Sequence, residues 1–362
     1  MNQEQIMAAF AMGGLAGNNA HGAGFLKAAI DRGVEPVMIS CTSGQILWVS
    51  RYLQAWKGQS EMDLKEMLHE DVRLMNPTGN LNFALTWLTL FGKPGVFAPA
   101  HYEYVRDMIK NAQDVCRHVC IGSREVLLAR EWMELFPCRN LVPDFPPEFF
   151  EKIADVFQEA SVGIVFNSYN PQAGKEYVYL NGRARELLHR KSGSGKCKYD
   201  PGNQSDYRDR TTYHDIDAKA VRDGLWLYNY GFDQKKSGFV DGAYFRGMIL
   251  SELAVAQRIF CVRPINHRWQ EDLPRNYPEL EDLKTEIGFN GSYCGERYQI
   301  LLVNKLLGAL NAESPGKYHH IDLQDIEISQ PHGYFDYLFE SEQVFDDAYT
   351  DTMNCFDELG YP

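Results

Sequence analysis

The chain is poor in positive charge. It carries 36 Lys and Arg against 49 Asp and Glu, a net charge of -13, which argues against nucleic acid as a general partner and against whole-molecule attraction to anionic membranes. It has no run of about 18 uncharged apolar residues, so no spanning helix is expected. The longest candidate, "LNFALTWLTLFGKPGVFAPA", is broken by Gly92, Lys93 and Pro94. The opening "MNQEQIMAAFAMGGLAG" has no basic region and only a short apolar run, so no secretory leader is read and a cytoplasmic location is expected. The eight cysteines (41, 116, 120, 138, 197, 261, 294, 355) have no disulfide-framework rhythm and read as reduced thiols.

Several chemical motifs are missing as well. The basic loop "KSGSGKCKYDPGNQSDYRDR" fails the phosphate-loop pattern twice, with Arg190 at its first glycine and Cys197 after Lys196. Arg183, Arg185, Arg190, Lys191, Lys196 and Lys198 form the one concentrated basic stretch; it reads as a solvated surface, with a lipid-headgroup site as the sharper alternative. Cys116, Cys120 and Cys138 lack a second C-x-x-C, so the helix around them reads as burying small apolar side chains and no metal site is assigned. No internal repeat is found.

What remains is an ordinary globular composition, 44% apolar and 23% charged, in a chain of 362 residues. That length allows one large α/β domain with insertions, or two domains. Residues 6–12 form an apolar run that enters the glycine-rich stretch "GGLAGNNAHGAG". "FLKAAIDRG" has helical spacing and stops at Gly33. "EPVMIS" reads as a second strand and "GQILWVSRYLQAW" as a helix. A βαβα opening predicts a mostly parallel sheet covered by helices.

From residue 61 to about 160 the chain reads largely helical. Within it, Leu81 to Phe97 reads as core helix and turn or, more sharply, as a lid contacting lipid. "SVGIVFNSYNPQAGKEYVYLN" predicts a hairpin turning at Asn170–Gly174. "SGFVDGAYFRGMILSELAVAQ" predicts a strand ending at Asp241, then a turn and a helix. "QRIFCVRPI" and "YHHIDLQDIEI" predict further strands, and "CGERYQILLVNKLLGALNAE" and "ESEQVFDDAYTDTMNCFDELG" predict helices.

Three strand-end features carry chemistry: Gly13-Gly14 after the first strand, Ser43 after the second, and Asp241 after a later one. In an open α/β sheet, ligands bind at the carboxyl ends of the strands. Parallel strands would bring the three features to one edge. A Ser hydroxyl needs a base, which a carboxylate in a dry site supplies. Backbone N–H groups of a Gly-rich turn can stabilise an oxyanion. Together they suit acyl transfer. A Ser-His-Asp order ending at His319, His320 or His332 would place the nucleophile much too early in the chain. His21, just after the Gly-rich loop, reads as a helix residue near the pocket, and Cys41 as a strand-end core cysteine rather than a reactive thiol.

The stretch from Gly14 to Ser43 resembles the opening of the patatin-like phospholipases, whose pattern runs G-G-G-x-[RK]-G-x-x-x-x-G-x-L, helix, strand, G-x-S-x-G. Gly24-Phe25-Leu26 matches G-x-L, Cys41-Thr42-Ser43 matches G-T-S, and Val240-Asp241-Gly242-Ala243 is similar to the D-G-[GA] motif. Gly14 and Ser43 lie 29 positions apart, as the family spacing requires. The resemblance covers residues 6 to about 265 well and the remainder loosely.

It implies a three-layer α/β/α fold with a mostly parallel central sheet, in one domain with a helical insertion over about 52–160 and a C-terminal helical region over about 266–362. It also implies a Ser-Asp dyad in which Ser43 attacks a fatty acyl ester and Asp241 is the base, with no cofactor and no metal. The partner would be a phospholipid or another acyl-ester lipid, reached by peripheral membrane contact.

The oxyanion hole falls on the loop Gly13, Gly14, Leu15, Ala16, Gly17 and Asn18. In the ungapped register Leu15 and Ala16 replace two glycines, Asn18 replaces the basic residue and Asn19 the next glycine. A one-residue shift brings Gly13-Gly14 onto the glycine pair. Cys41 and Gln45 replace both glycines of the elbow, which leaves a second reading: a degenerate member that binds acyl lipid or a protein partner without turnover.

Overall fold

The computed structural model describes residues 6–15, 19–75, 97–99, 101–119, 141–143, 146–192, 199–201, 210–227, 232, 238–270, 272–275, 277–313, 318–328 and 341–361. The chain opens β1 (Ala8–Met12), α1 (Asn19–Asp31), β2 (Pro36–Cys41), α2 (Gln45–Trp56). Strand β1, AAFAM, is buried along its whole length, as expected for a central parallel strand covered on both faces. Helix α1 stops where Gly33 takes a φ of 62°, and Val34 N–H returns to Ala29 O at 2.9 Å. That left-handed residue is open to glycine at little cost and lets the chain turn directly into β2.

Next come α3 (Leu64–Met75), β3 (Phe97–Pro99), α4 (His101–Val119), β4 (Leu141–Pro143) and α5 (Pro147–Gln158). Strands β3 and β4 pair antiparallel as a small separate sheet inside the region expected to be helical. Most of the aromatic segment from Leu81, residues 81–96, lies outside the described residues. The predicted hairpin forms as β5 (Gly163–Asn170) and β6 (Lys175–Leu180), with Gly174 at φ 61° closing its turn. The chain continues through α6 (Gly182–Ser192), β7 (Thr211–Asp215), α7 (Ala218–Gly224), β8 (Val240–Asp241), β9 (Arg258–Arg263), α8 (Tyr277–Glu313), β10 (Asp322–Glu327) and α9 (Glu342–Glu358).

The central sheet has the order β10-β9-β1-β2-β5-β6-β7, with β8 added to β5. Its pairs are parallel except β5 with β6 and β5 with β8. Alternating residues of β1 feed two different cores. Ala8, Phe10 and Met12 pack with Phe25, Trp48 and Phe345 of the helices on one face. Ala9 and Ala11 pack with Val165, Leu250 and Tyr293 on the other. Apolar layers on both faces make this a three-layer α/β/α fold with a mostly parallel central sheet. Helix α9 packs on α1, and β10 extends the sheet beyond β9, so the region after residue 266 adds a strand as well as helices. No helix among the described residues is long and apolar enough to cross a membrane.

Two expectations need correction. Strand β8 is two residues long and antiparallel to β5, not a parallel strand. After it the chain forms two 3-10 turns, Gly242–Tyr244 and Ser251–Leu253, where a helix was expected. Gly242 and Gly247 interrupt that segment, and the Gly247 and Ile249 carbonyls are taken by the Thr42 and Ser40 hydroxyls instead of by a helical ladder.

Candidate active site

Strand β2 ends at Cys41 and α2 begins at Gln45, so three residues turn the chain. Ser43 sits at φ 54°, the single non-glycine residue with positive φ among the described residues. Such a backbone costs about 1–3 kcal/mol for an L-residue and persists only where its surroundings over-determine it. Here they do. Thr42 N–H donates to Met12 O at 3.1 Å, and Ile46 N–H to Ser43 O at 3.0 Å. The Thr42 hydroxyl donates to Gly247 O at 2.9 Å and accepts the Gly14 N–H at 2.9 Å. Ser43 is 5% exposed.

The two glycines missing from the elbow are compensated from across the turn. A Cβ on Gly14 would lie 2.1 Å from Thr42 O and 2.7 Å from Ser43 Cβ, so the glycine that the tight approach needs is on the facing loop. Gln45 lies flat on α1, where a Cβ at Gly22 would stand 2.2 Å from its Nε2, and that Nε2 donates to Asn19 O at 3.0 Å. Cys41 closes β2 inside the apolar core, and burial pushes its thiol far above the ordinary range, which excludes a reactive thiolate at neutral pH.

Asp241 reaches this elbow from the opposite direction. One edge of β5 pairs with β6 from Val165 to Asn170. The other edge pairs first with β2, ending at Cys41 opposite Phe166, and then with β8, where Asp241 lies opposite Ser168. Strands β2 and β8 therefore meet head to head along one edge, with partners two residues apart on β5, or roughly 7 Å. Asp241 N–H donates to Trp226 O at 2.7 Å, and its carboxylate accepts the Ala243 N–H at 2.8 Å. Ser43 lies near that carboxylate, and its hydroxyl and N–H, as nearby donors, favour the ionised form. Burial outweighs these donors and raises the carboxyl from 3.8 to about 7. Gly242 is needed here, since a Cβ would stand 2.1 Å from Asn167 Oδ1.

Three of the six residues expected in the oxyanion loop, Gly13, Gly14 and Leu15, lie among the described residues. Gly13 N–H donates to Val262 O at 3.0 Å, Gly14 N–H to Thr42, and Leu15 N–H to Asn19 Oδ1 at 3.2 Å. These three of the six expected donors are engaged inside the protein. They shape the loop and are not free to receive an oxyanion. Ala16, Gly17 and Asn18 lie outside the described residues. A donor that the motif reading missed is the Gly44 N–H, which has no acceptor among the described residues and opens α2 directly after Ser43. Its signal was present, because the residue after an elbow nucleophile is the usual second donor. Thr42 and Asn167 were also missed as site residues, and the T of C-T-S was the one hint.

The other candidates have partners outside the dyad. His21 is buried, with Nε2 on Ile326 O of β10 at 2.9 Å. His319 reaches Ala256 O at 2.8 Å, ahead of β9 and so at the end of the sheet opposite Ser43. His332 lies outside the described residues, as do Cys120, Cys138, Lys196 and Lys198. Arg183 and Arg185 pair with Glu186 and Asp215. Among the described residues no group of three or more His, Cys, Asp or Glu is arranged to hold a metal ion.

No family model and no curated protein matches the chain. Among solved structures it is similar to VipD from Legionella pneumophila, at 10% identity and a TM-score of 0.34, over 98% of this chain and 67% of that one. At that level the likeness is one of broad outline and carries no argument about chemistry.

Proposed function

We propose that the protein is a serine acyl hydrolase of the patatin-like kind, acting on fatty acyl esters such as phospholipids or lysophospholipids through a Ser43–Asp241 dyad. The observation that carries this reading is the left-handed Ser43, held at a strand-to-helix turn near the buried Asp241 carboxylate, whose pKa burial raises to about 7. Above that pH the Asp241 carboxylate accepts the Ser43 proton as Oγ attacks the ester carbonyl. The oxyanion is received by Gly44 N–H at the start of α2, with Ala16–Asn18 the remaining candidates of the loop. Asp241 returns the proton to the departing alcohol, and water then releases the acyl group from Ser43. Every step uses the chain's own residues.

The second reading is a binding protein without turnover. What favours it is that Gly13, Gly14 and Leu15 have no N–H left for an oxyanion. Hydrolysis of a short-chain p-nitrophenyl ester and of a dispersed phospholipid separates the two. The hydrolase reading predicts turnover that Ser43→Ala abolishes. Saturable lipid binding without product, unchanged in Ser43→Ala, would establish the binding reading.

A further inference from the structure

The segment after Asp241 holds all three parts of the candidate site. Ala243 N–H bonds the Asp241 carboxylate at 2.8 Å. Gly247 O receives the Thr42 hydroxyl of the elbow at 2.9 Å, and that same hydroxyl accepts the Gly14 N–H of the glycine-rich loop. Ile249 O receives the Ser40 hydroxyl of β2 at 2.7 Å. The segment is not a helix and has little regular structure of its own to fix it.

Arg246, in its middle, fixes it instead. The side chain is 1% exposed and is held on every side by carboxylates. Its Nε donates to Glu176 of β6 at 2.7 Å. Its Nη1 and Nη2 donate to Glu252 at 2.8 and 3.1 Å. Glu296 of α8 stands at 3.6 Å. The acids are themselves anchored: Glu176 accepts from Asn167 at 2.8 Å and Thr211 at 2.7 Å, and Glu296 accepts the Leu250 and Ser251 N–H groups at 3.1 and 3.2 Å. The Arg246 backbone is pinned too, its N–H to Gly242 O at 2.8 Å and its carbonyl by Asn167 at 3.3 Å.

Replacing such a network by apolar residues is often no loss to stability, so its presence calls for a reason other than stability. A planar five-donor guanidinium spans three acids in one geometry, which an ammonium does not. We infer that Arg246, with Glu176, Glu252 and Glu296, is a positioning residue that sets Asp241, the Ser43 elbow and the Gly14 loop in register. This rests on the Ser43–Asp241 reading.

The test is the rate at which a fluorophosphonate labels Ser43, with kcat and KM for a short-chain p-nitrophenyl ester, in the wild type, Arg246→Lys and Glu252→Gln, each checked for folding by circular dichroism and thermal melting. Labelling of the wild type at Ser43 is the control, and its absence would count against the dyad and not against this inference. With the control met, folded Arg246→Lys should label and turn over slowly, by up to roughly 10²-fold for a displacement near 1 Å, with KM nearly unchanged. Glu252→Gln, which leaves Glu176 and Glu296 on the guanidinium, should fall between it and the wild type. If Arg246→Lys does not fold, Glu252→Gln decides alone. Folded variants that label at the wild-type rate would overturn the inference. So would a rise in KM at constant kcat, or a failure of both variants to fold, since Arg246 would then serve binding or the fold as a whole.

Discussion

Asp241→Asn should make the protein more stable at pH 8 while removing its activity. The carboxyl has an ordinary value of 3.8 and titrates at about 7 in the folded chain, because the site is dry. At about 1.4 kcal/mol per pH unit, that gap opposes folding by roughly 4 kcal/mol once both states are ionised. The sign comes from proton binding. The folded state holds this proton more tightly, so its contribution to stability is full below about pH 4 and is lost as the pH rises through about 7. Asparagine carries no charge and keeps an acceptor for the Ala243 N–H, but its amide nitrogen cannot accept from Ser43. That exchange costs about 1–2 kcal/mol. The net expectation is a gain of about 2 kcal/mol at pH 8 that shrinks to about zero near pH 5. Urea denaturation of both proteins at the two pH values measures it. An Asn variant less stable than the wild type at pH 8 would refute the claim that Asp241 is ionised at a desolvation cost.

Other parts of the site give equally direct expectations. The rate of Ser43 acylation should rise with pH through about 7 and then level, since the base acts only when ionised; a rate independent of pH between 5.5 and 8.5 would remove Asp241 from the role. Thr42→Val leaves the Gly247 carbonyl and the Gly14 N–H without their partner and should cost roughly 2 kcal/mol in chemical denaturation, with slower labelling. A loss within the scatter of surface substitutions, about 0.5 kcal/mol, would contradict that. Gly22→Ala puts a methyl group where Gln45 lies and should destabilise strongly on its own, but little in combination with Gln45→Gly. Additive losses in that double-mutant cycle would show that the two positions are not the packed pair described.

Much of the architecture was legible in order and type. The all-apolar "AAFAM", the glycine that ends α1, and the turn between β5 and β6 each announce their element locally; the βαβα opening predicts the mostly parallel sheet, and the three-layer arrangement followed from the family resemblance. The direction of β8 was not legible. A two-residue strand has no periodicity, and "VDG" reads the same whether it arrives parallel or antiparallel; only its pairing with Ser168 and Tyr169 decides.

The use of N–H groups was hidden for a similar reason. Glycines mark a loop that can approach a ligand, but Thr42 and Asn19, which consume the Gly14 and Leu15 donors, act through the fold. The harsh elbow substitutions also looked worse in one dimension. Gln45 is accommodated because Gly22, far off in the chain, has no side chain. Arg246 carried no signal, since a single arginine in "FRGM" gives no hint of three acids drawn from β6, a 3-10 turn and α8.

The central claim is that Ser43 is a nucleophile activated by Asp241. Its most direct test is fluorophosphonate labelling at pH 8 with the modified peptide mapped by mass spectrometry, on the wild type, Ser43→Ala and Asp241→Asn. One adduct is expected, on Ser43, absent in the first variant and strongly slowed in the second while both remain folded. No adduct on the folded wild type, or an adduct that persists in Ser43→Ala, would contradict it.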